Sequence, residues 1–181
     1  RALAACEGAL LVVDASQGVE AQTLANAELA KELGLAIVPV INKVDLPSAD
    51  VEKTREQIEE VLGIAAEPVL VSAKEGRGTR EVLEAVVARI PGPRGSADAP
   101  LAAAIFDSQY DTYRGVIIFV RVVDGILRKG MKLQFFSSRA PISVEEIGHF
   151  TPAMRPAEHL SAGEVGYLVC GIRDVHQVRV G

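Results

Sequence analysis

Three times within the first ninety residues a short aliphatic run gives way to a longer amphipathic one, and this alternation constrains the fold more than any other feature of the sequence. Residues 9–13 precede residues 19–33, in which Leu24, Leu29 and Leu33 recur at helical spacing. Residues 37–41 precede residues 50–62, with Val51, Ile58, Val61 and Leu62 as the apolar stripe and Asp50 as N-cap. Residues 68–71 precede residues 79–90, with Val82, Leu83, Val86 and Val87 expected to face inward. Apolar residues at a spacing of three to four argue helix, and short β-branched runs bounded by turn residues argue buried strand. Strand-then-helix pairs in series predict a parallel sheet with helices packed on its faces and right-handed crossovers. Ligands of such sheets sit outside the carboxyl ends of the strands, so the loops to inspect follow Val13, Ile41 and Val71.

The chain changes character after residue 92. All eight aromatics and all three histidines lie beyond residue 105. Residues 1–92 carry nine Lys/Arg against fifteen Asp/Glu, net minus six, whereas residues 93–181 carry ten against nine, net plus one. Pro91, Pro93 and Pro100 with Gly92 and Gly95 deny the intervening backbone both helix and ladder pairing. The expected organisation is therefore an α/β unit over 1–92, a linker over 93–100 and a second unit over 101–181. That second unit reads as strands at 101–106, 115–123, 126–136, 142–147 and 164–172. Asp124-Gly125 reads as a hairpin turn and Lys129-Gly130 as another turn. Short strands with little helix predict a small all-β barrel, closed so that no edge stays exposed.

Composition removes several classes. Hydrophobic residues make up 49% and charged residues 24%, which excludes a disordered or collagen-like chain. The longest apolar stretch, residues 33–41, is too short for a membrane-spanning helix, which needs about 20 residues. Cys6 and Cys170 are too far apart in sequence to suggest a disulfide framework, and both are expected to pack as small hydrophobes. The chain begins at Arg1 on an uncapped apolar run, and it reads as a piece of something longer.

The loops after the second and third strands carry the chemistry. Asn42, Lys43, Val44 and Asp45 follow one strand, and Ser72, Ala73 and Lys74 follow the next. Guanine presents two hydrogen-bond donors on one edge, N1–H and the exocyclic amino group, and a carboxylate placed like Asp45 accepts both. Adenine offers an acceptor at N1 instead, a mismatch that costs about 1–3 kcal/mol. Asn42 can donate its amide to the other edge of the purine and tie the two loops together. The methylene stems of Lys43 and Lys74 can cover the two ring faces. A backbone N–H near Ala73 can donate to the keto oxygen. Asp14 ends the first strand, where it either touches a ligand or caps the turn before Gln17 and Gly18; Gln22 and Thr23 either serve the site or begin a helix.

Residues 13–23 (Val-Asp-Ala-Ser-Gln-Gly-Val-Glu-Ala-Gln-Thr), 42–47 (Asn-Lys-Val-Asp-Leu-Pro) and 72–74 (Ser-Ala-Lys) resemble the latter half of the G domain of translational GTPases. Residues 106–116, 122–130 and 162–175 resemble most closely the barrel domain II of the LepA, or elongation factor 4, family. The resemblance spans essentially the whole chain. It implies GTP/GDP as ligand, with Asn42, Lys43, Asp45, Ser72, Ala73 and Lys74 binding the guanine. It also implies hydrolysis of GTP to GDP and phosphate in the full-length protein, with Mg²⁺ held by residues outside this segment. The implied partner is the ribosome, reached through the barrel on the small subunit and its rRNA. The implied location is the cytoplasm, and the resemblance admits peripheral association with the inner membrane.

One departure matters. Phosphate binding of this kind needs G-x-x-x-x-G-K-[ST], and Gly-Lys occurs nowhere in the sequence. The family's D-x-x-G motif and its adjacent histidine are also missing. No residue of the chain is therefore expected to be catalytic, and the 181 residues alone are expected to be inactive and to self-associate through the open edge of the first strand. The histidines, His149, His159 and His176, show no metal-ligand spacing. Eight of the ten basic residues of 93–181 are arginine, among them Arg114, Arg121, Arg128 and Arg139, which suits an RNA face. The rival readings are a non-catalytic ribosome-binding or scaffold module and a related factor of the BipA or elongation factor G type. A nicotinamide or flavin enzyme ranks last, because no G-x-G-x-x-G follows a strand.

Overall fold

A computed structural model of the chain describes residues 2–172 and 178. The chain forms two compact units, Cys6–Gly92 on one side and Arg1–Ala5 with Pro93–Gly181 on the other.

In the first unit β1 (Gly8–Asp14), β2 (Ala36–Asn42) and β3 (Val69–Leu70) pair in the order β1-β2-β3, all parallel. The helices are α1 (Ala21–Glu32), α2 (Val51–Glu60) and α3 (Thr79–Arg89). Strand register puts Val13 beside Ile41 and Asp14 beside Asn42, so the first two strands end level. Leu11, Val13 and Ile41 share a core with Ala27 of α1 and with Ile58, Leu62 and Ile64 of the α2 region. Val38 and Val40 alternate with Ile37 and Ile41 and are buried on the opposite face, where α3 packs on β2 and β3. Asp50 caps α2, its Oδ1 accepting from the Lys53 N–H at 3.0 Å. α3 starts instead on Gly78, with no side-chain cap.

The helices do not present the faces their leucines and valines suggest. In α1 the buried residues are Ala27 and Ala30, while Leu24, Leu29 and Leu33 are exposed. In α3 only Ala85 is buried, Val82 and Val86 are half-buried, and Leu83 and Val87 are exposed. Only α2 follows expectation, through Ile58 and Leu62, and even there Val61 is exposed. A helix that lies close on a sheet seats small side chains at the contact and leaves larger ones to the flanks. On β1, Leu10 and Val12 are exposed, Val12 at 55%, while Ile90 at the end of α3 lies against Gly8 of the same strand. Cys6, just before this strand, is exposed rather than buried.

Among the described residues the second unit has nine strands: β4 (Ala102–Asp111), β5 (Gly115–Asp124), β6 (Ile126–Arg128), β7 (Lys132–Gln134), β8 (Pro141–Ser143), β9 (Glu146–Thr151), β10 (Ala153–Pro156), β11 (His159–Ser161) and β12 (Val165–Val169). They form a five-stranded antiparallel sheet, β10-β9-β12-β5-β4, and two two-stranded ribbons, β11-β6 and β7-β8. The expected closed barrel is corrected by this pairing. Among the described residues the ladder is three separate pieces around one interior, not a continuous ring. Turn chemistry explains the breaks. Lys129-Gly130 divides the expected strand 126–136 into β6 and β7, which pair with different partners. Asp124-Gly125 is not a hairpin either, because β5 pairs with β4 and β12 while β6 pairs with β11. It is a corner. Gly125 sits at φ 76°, where a side chain would strike Leu101 and Ala99, and its N–H donates to the Ser96 carbonyl at 2.8 Å. Register shifts in β4 near Ala102 and Ile105 bend its pairing with β5.

The interior holds Val116, Ile118, Val120 and Val122 from β5 with Leu127, Ile147, Leu160 and Leu168. The opposite face of the large sheet carries a second cluster of Ile117, Tyr167 and Val169. A chain of rings runs across it, Phe106 to Phe119 at 6.3 Å, Phe119 to Phe150 at 5.1 Å and Phe150 to Tyr167 at 5.6 Å. Packing accounts for these four aromatics, whereas Tyr110, Tyr113 and Phe136 are exposed. Tyr167 is buried and donates its hydroxyl to Glu146 at 2.8 Å, which burial and that carboxylate make harder to ionise.

Candidate functional site

Three strand ends of the first unit converge: Asp14 after β1, Asn42 after β2 and Ser72 after β3. Backbone bonds bring the loops together. Ala15 N–H donates to the Asn42 carbonyl at 2.8 Å, and Val44 N–H donates to the Val71 carbonyl at 3.2 Å. Side chains then fix the details. Asn42 Oδ1 accepts from the Lys43 N–H at 2.8 Å and from the Ala73 N–H at 3.1 Å. The expected tie between the two loops is present, made by the amide oxygen, and the amide nitrogen has no part in it. That bond also engages the Ala73 N–H, the donor expected to face the keto oxygen of a base.

Ser72 is fully buried, its backbone paired in both directions with Arg77 and its Oγ accepting from the Glu75 N–H at 3.2 Å. The same hydroxyl bonds Asp45 and, as the largest influence, holds that carboxyl below the ordinary aspartate range; Lys74 and Lys43 add to it through their charge. Asp45 is half-buried beside the Ser-Ala-Lys turn. Its carboxylate is therefore ionised and acceptor-only, with the charges of Lys74 and Lys43 favouring that form. Those properties fit the adjacent N–H pair of guanine and oppose an acceptor in the same place. Lys74 is exposed.

Lys43 is one of two non-glycine residues in the left-handed region among the described residues, at φ 64°. Its ammonium donates to Asp14 Oδ2 at 2.5 Å. Asp14 Oδ1 accepts from Ser16 twice, from N–H at 2.8 Å and from Oγ at 2.7 Å. The Lys43 bond, followed by those from Ser16, holds the Asp14 carboxyl down at about 2, and Asp14 in turn raises Lys43. Asp14 is thus both the turn residue and an ionic partner across the strand ends. Gln57, on α2, accepts from the Val19 N–H at 2.9 Å and lies where a side chain at Gly18 would be. No sequence signal marks Gln57, since its partner is remote in the chain; Asp14 is marked only as a polar residue at a strand end.

Among the described residues no three His, Cys, Asp or Glu side chains gather to hold a metal. His149 and His159 lie on β9 and β11, and His176 lies outside the described residues. Of the arginines expected to make an RNA face, Arg114 pairs with Glu146 at 3.1 Å and Arg139 lies 5.0 Å from the ring of Phe136. Arg121 and Arg128 lie on β5 and β6.

A parallel sheet whose strand ends present an ionised aspartate, a bridging asparagine and two lysines, in a chain with a second, antiparallel unit, is consistent with a G-domain segment of a translation factor. Residues 1–92 match the family described as Elongation factor Tu GTP binding domain, residues 115–181 match Elongation factor Tu domain 2, and the chain belongs to this family of translational GTPases. Within it the similarity runs to elongation factor 4. Over the whole chain it is 56% identical to Elongation factor 4 of Aquifex aeolicus and 54% identical to Elongation factor 4 of Chlorobium phaeovibrioides. It is also 56% identical to the Translation factor GUF1 homolog, chloroplastic, of Physcomitrium patens. The chain spans 30% of the length of the two bacterial relatives and 25% of the plant one.

Proposed function

We propose that the intact protein is a ribosome-associated translational GTPase of the elongation factor 4 type, hydrolysing GTP to GDP and phosphate, and that this chain supplies its guanine recognition and its ribosome-facing β unit. The observation that carries the reading is the Asp45 carboxylate, ionised between Ser72 and the lysines at the strand ends. Similarity over every residue to proteins named Elongation factor 4 supports it.

In this reading Asp45 accepts from N1–H and the exocyclic amino group. The Asn42 amide, its oxygen occupied by Lys43 and Ala73, offers its NH₂ to the purine. The stems of Lys43 and Lys74 cover the ring. No residue here cradles phosphate, so hydrolysis and its Mg²⁺ fall to other parts of the intact protein, and the 181 residues alone turn over no GTP. The β unit faces the small ribosomal subunit and its rRNA, a role supported by the match to Elongation factor Tu domain 2. The proposed location of the intact protein is the cytoplasm, with peripheral association at the inner membrane. No helix among the described residues is long and apolar enough to cross a membrane.

The test is Asp45→Asn in the intact protein. GTP affinity falls roughly 100-fold, a loss of about 2.7 kcal/mol. Xanthosine triphosphate gains, because its extra keto group accepts from the new amide. Unchanged GTP affinity with no gain for the xanthine nucleotide rejects the assignment.

A further inference from the structure

Asp14 and Lys43 come from different strand ends, and neither the strand pairing nor the core requires their contact. Register places Asp14 beside Asn42, so Lys43 starts one residue past its neighbour's partner. Its backbone enters the left-handed region at φ 64°, a conformation that a long side chain adopts only where its surroundings enforce it. Two bonds enforce it. Asn42 Oδ1 takes the Lys43 N–H, and Asp14 Oδ2 takes the ammonium at the far end of the side chain. The stem between those anchors is stretched from the end of β2 toward the end of β1. Its side chain remains 53% exposed while that of Asp14 is 16% exposed, so the carboxylate is the seated partner and the lysine stem the open surface. A lysine on a flexible four-carbon stem ordinarily samples many rotamers, and holding both its ends removes that freedom before any ligand arrives.

We propose that Asp14 is a positioning residue of the nucleotide site: it anchors the Lys43 ammonium so that the lysine stem stands ready as a wall against the purine ring. The proposal rests on the guanine reading of Asn42, Lys43 and Asp45, and it adds to that motif a residue from the preceding strand. Asp14 touches no ligand itself. It acts through Lys43, and the consequence is a dependence of nucleotide affinity on an aspartate outside the base-reading loops.

The experiment is a double-substitution cycle in the intact protein, with GDP binding measured by calorimetry. Asp14→Asn keeps an oxygen for the Ser16 N–H and removes the charge. Lys43→Met keeps an apolar stem and removes the ammonium. Each weakens GDP roughly five- to tenfold, the upper figure corresponding to about 1.4 kcal/mol, and the double variant is no weaker than the poorer single one. Ser16→Ala separates positioning from turn structure, because it removes the hydroxyl bond to Asp14 Oδ1 and spares the ammonium bond to Oδ2. It binds GDP like the unaltered protein. The proposal is overturned if Asp14→Asn binds GDP at full strength, if the losses from Asp14→Asn and Lys43→Met add, or if Ser16→Ala loses as much as Asp14→Asn. Failure of the unaltered protein to bind GDP would instead reject the guanine reading, before any substitution is made.

Discussion

In the α/β unit the strand ends are tied to one another by side chains that reach between distant segments, Asn42 to Ala73 and Gln57 to Val19. In the β unit two turns are tied by their own residues: Asp111 accepts from Tyr113 and Arg114, and Glu164 accepts from Ser161. The interiors differ in the same sense. β5 alone sends Val116, Ile118, Val120 and Val122 into one apolar core, whereas two of the three helices of the α/β unit meet their sheet chiefly through alanines. Order in the β unit therefore rests on burial, and order at the strand ends of the α/β unit rests on polar tethers near the surface. Substitutions should divide accordingly, the first kind changing stability and the second changing binding.

The largest effect tests the burial side. Ile118→Ala removes a fully buried side chain from the β core and should cost about 3 kcal/mol, read as a lowered urea midpoint with the β signal followed by circular dichroism. A change below about 1 kcal/mol would mean that the three sheet pieces collapse around the gap, and the contrast with the α/β unit would weaken.

A second effect concerns the exposed Leu10 and Val12 of β1. Parallel sheets are ordinarily covered on both faces, and β1 is also an edge of its sheet among the described residues. The isolated 181-residue chain should therefore self-associate, with light scattering giving at least twice the monomer mass. Val12→Lys, at an already exposed position, should restore the monomer without lowering the melting temperature. A monomeric parent chain would show that uncovered leucine and valine on this strand are tolerated.

The smallest effect separates the two kinds of tether by salt. Lys43 holds the Asp14 carboxyl down at about 2, and the N–H groups of Arg114 and Tyr113 hold Asp111 below its ordinary value. Because both values are depressed on folding, each contribution to stability is complete above about pH 4 and fades as pH falls through the folded value. At 1 M salt the Asp14 titration, followed by carboxyl NMR, should move upward, since its main partner is a half-exposed ammonium for which salt anions compete. The Asp111 titration should stay nearly fixed, since backbone dipoles of its own turn hold it.

Legibility in the sequence follows the same division. The strands of the α/β unit could be read because β-branched runs such as Ile37 to Ile41 are buried and bounded by turn residues. The cap at Asp50 could be read because it acts within one turn of helix. Asn42, Lys43, Asp45 and the Ser72 to Lys74 turn were visible as a pattern, and the structure brings them to one set of loops. The helix faces were not legible. Hydropathy ranks Leu24, Leu29 and Leu33 above Ala27 and Ala30, but close approach to a sheet selects the smaller side chains. Pairing partners were not legible either: Asp124-Gly125 has the composition of a hairpin turn, and only the Ser96 segment seated against it makes it a corner. Gln57 and the ionic role of Asp14 depend on which strand ends lie side by side, which a linear pattern does not encode.

Asn42 spends its carbonyl oxygen on two protein N–H groups, and that leaves the residue with hydrogen atoms alone to show an incoming molecule. On the proposed guanine reading, a group that can only give protons would grip the imidazole nitrogen common to both purines and be blind to what distinguishes them. In that reading the choice of letter would then fall to the acid at Asp45.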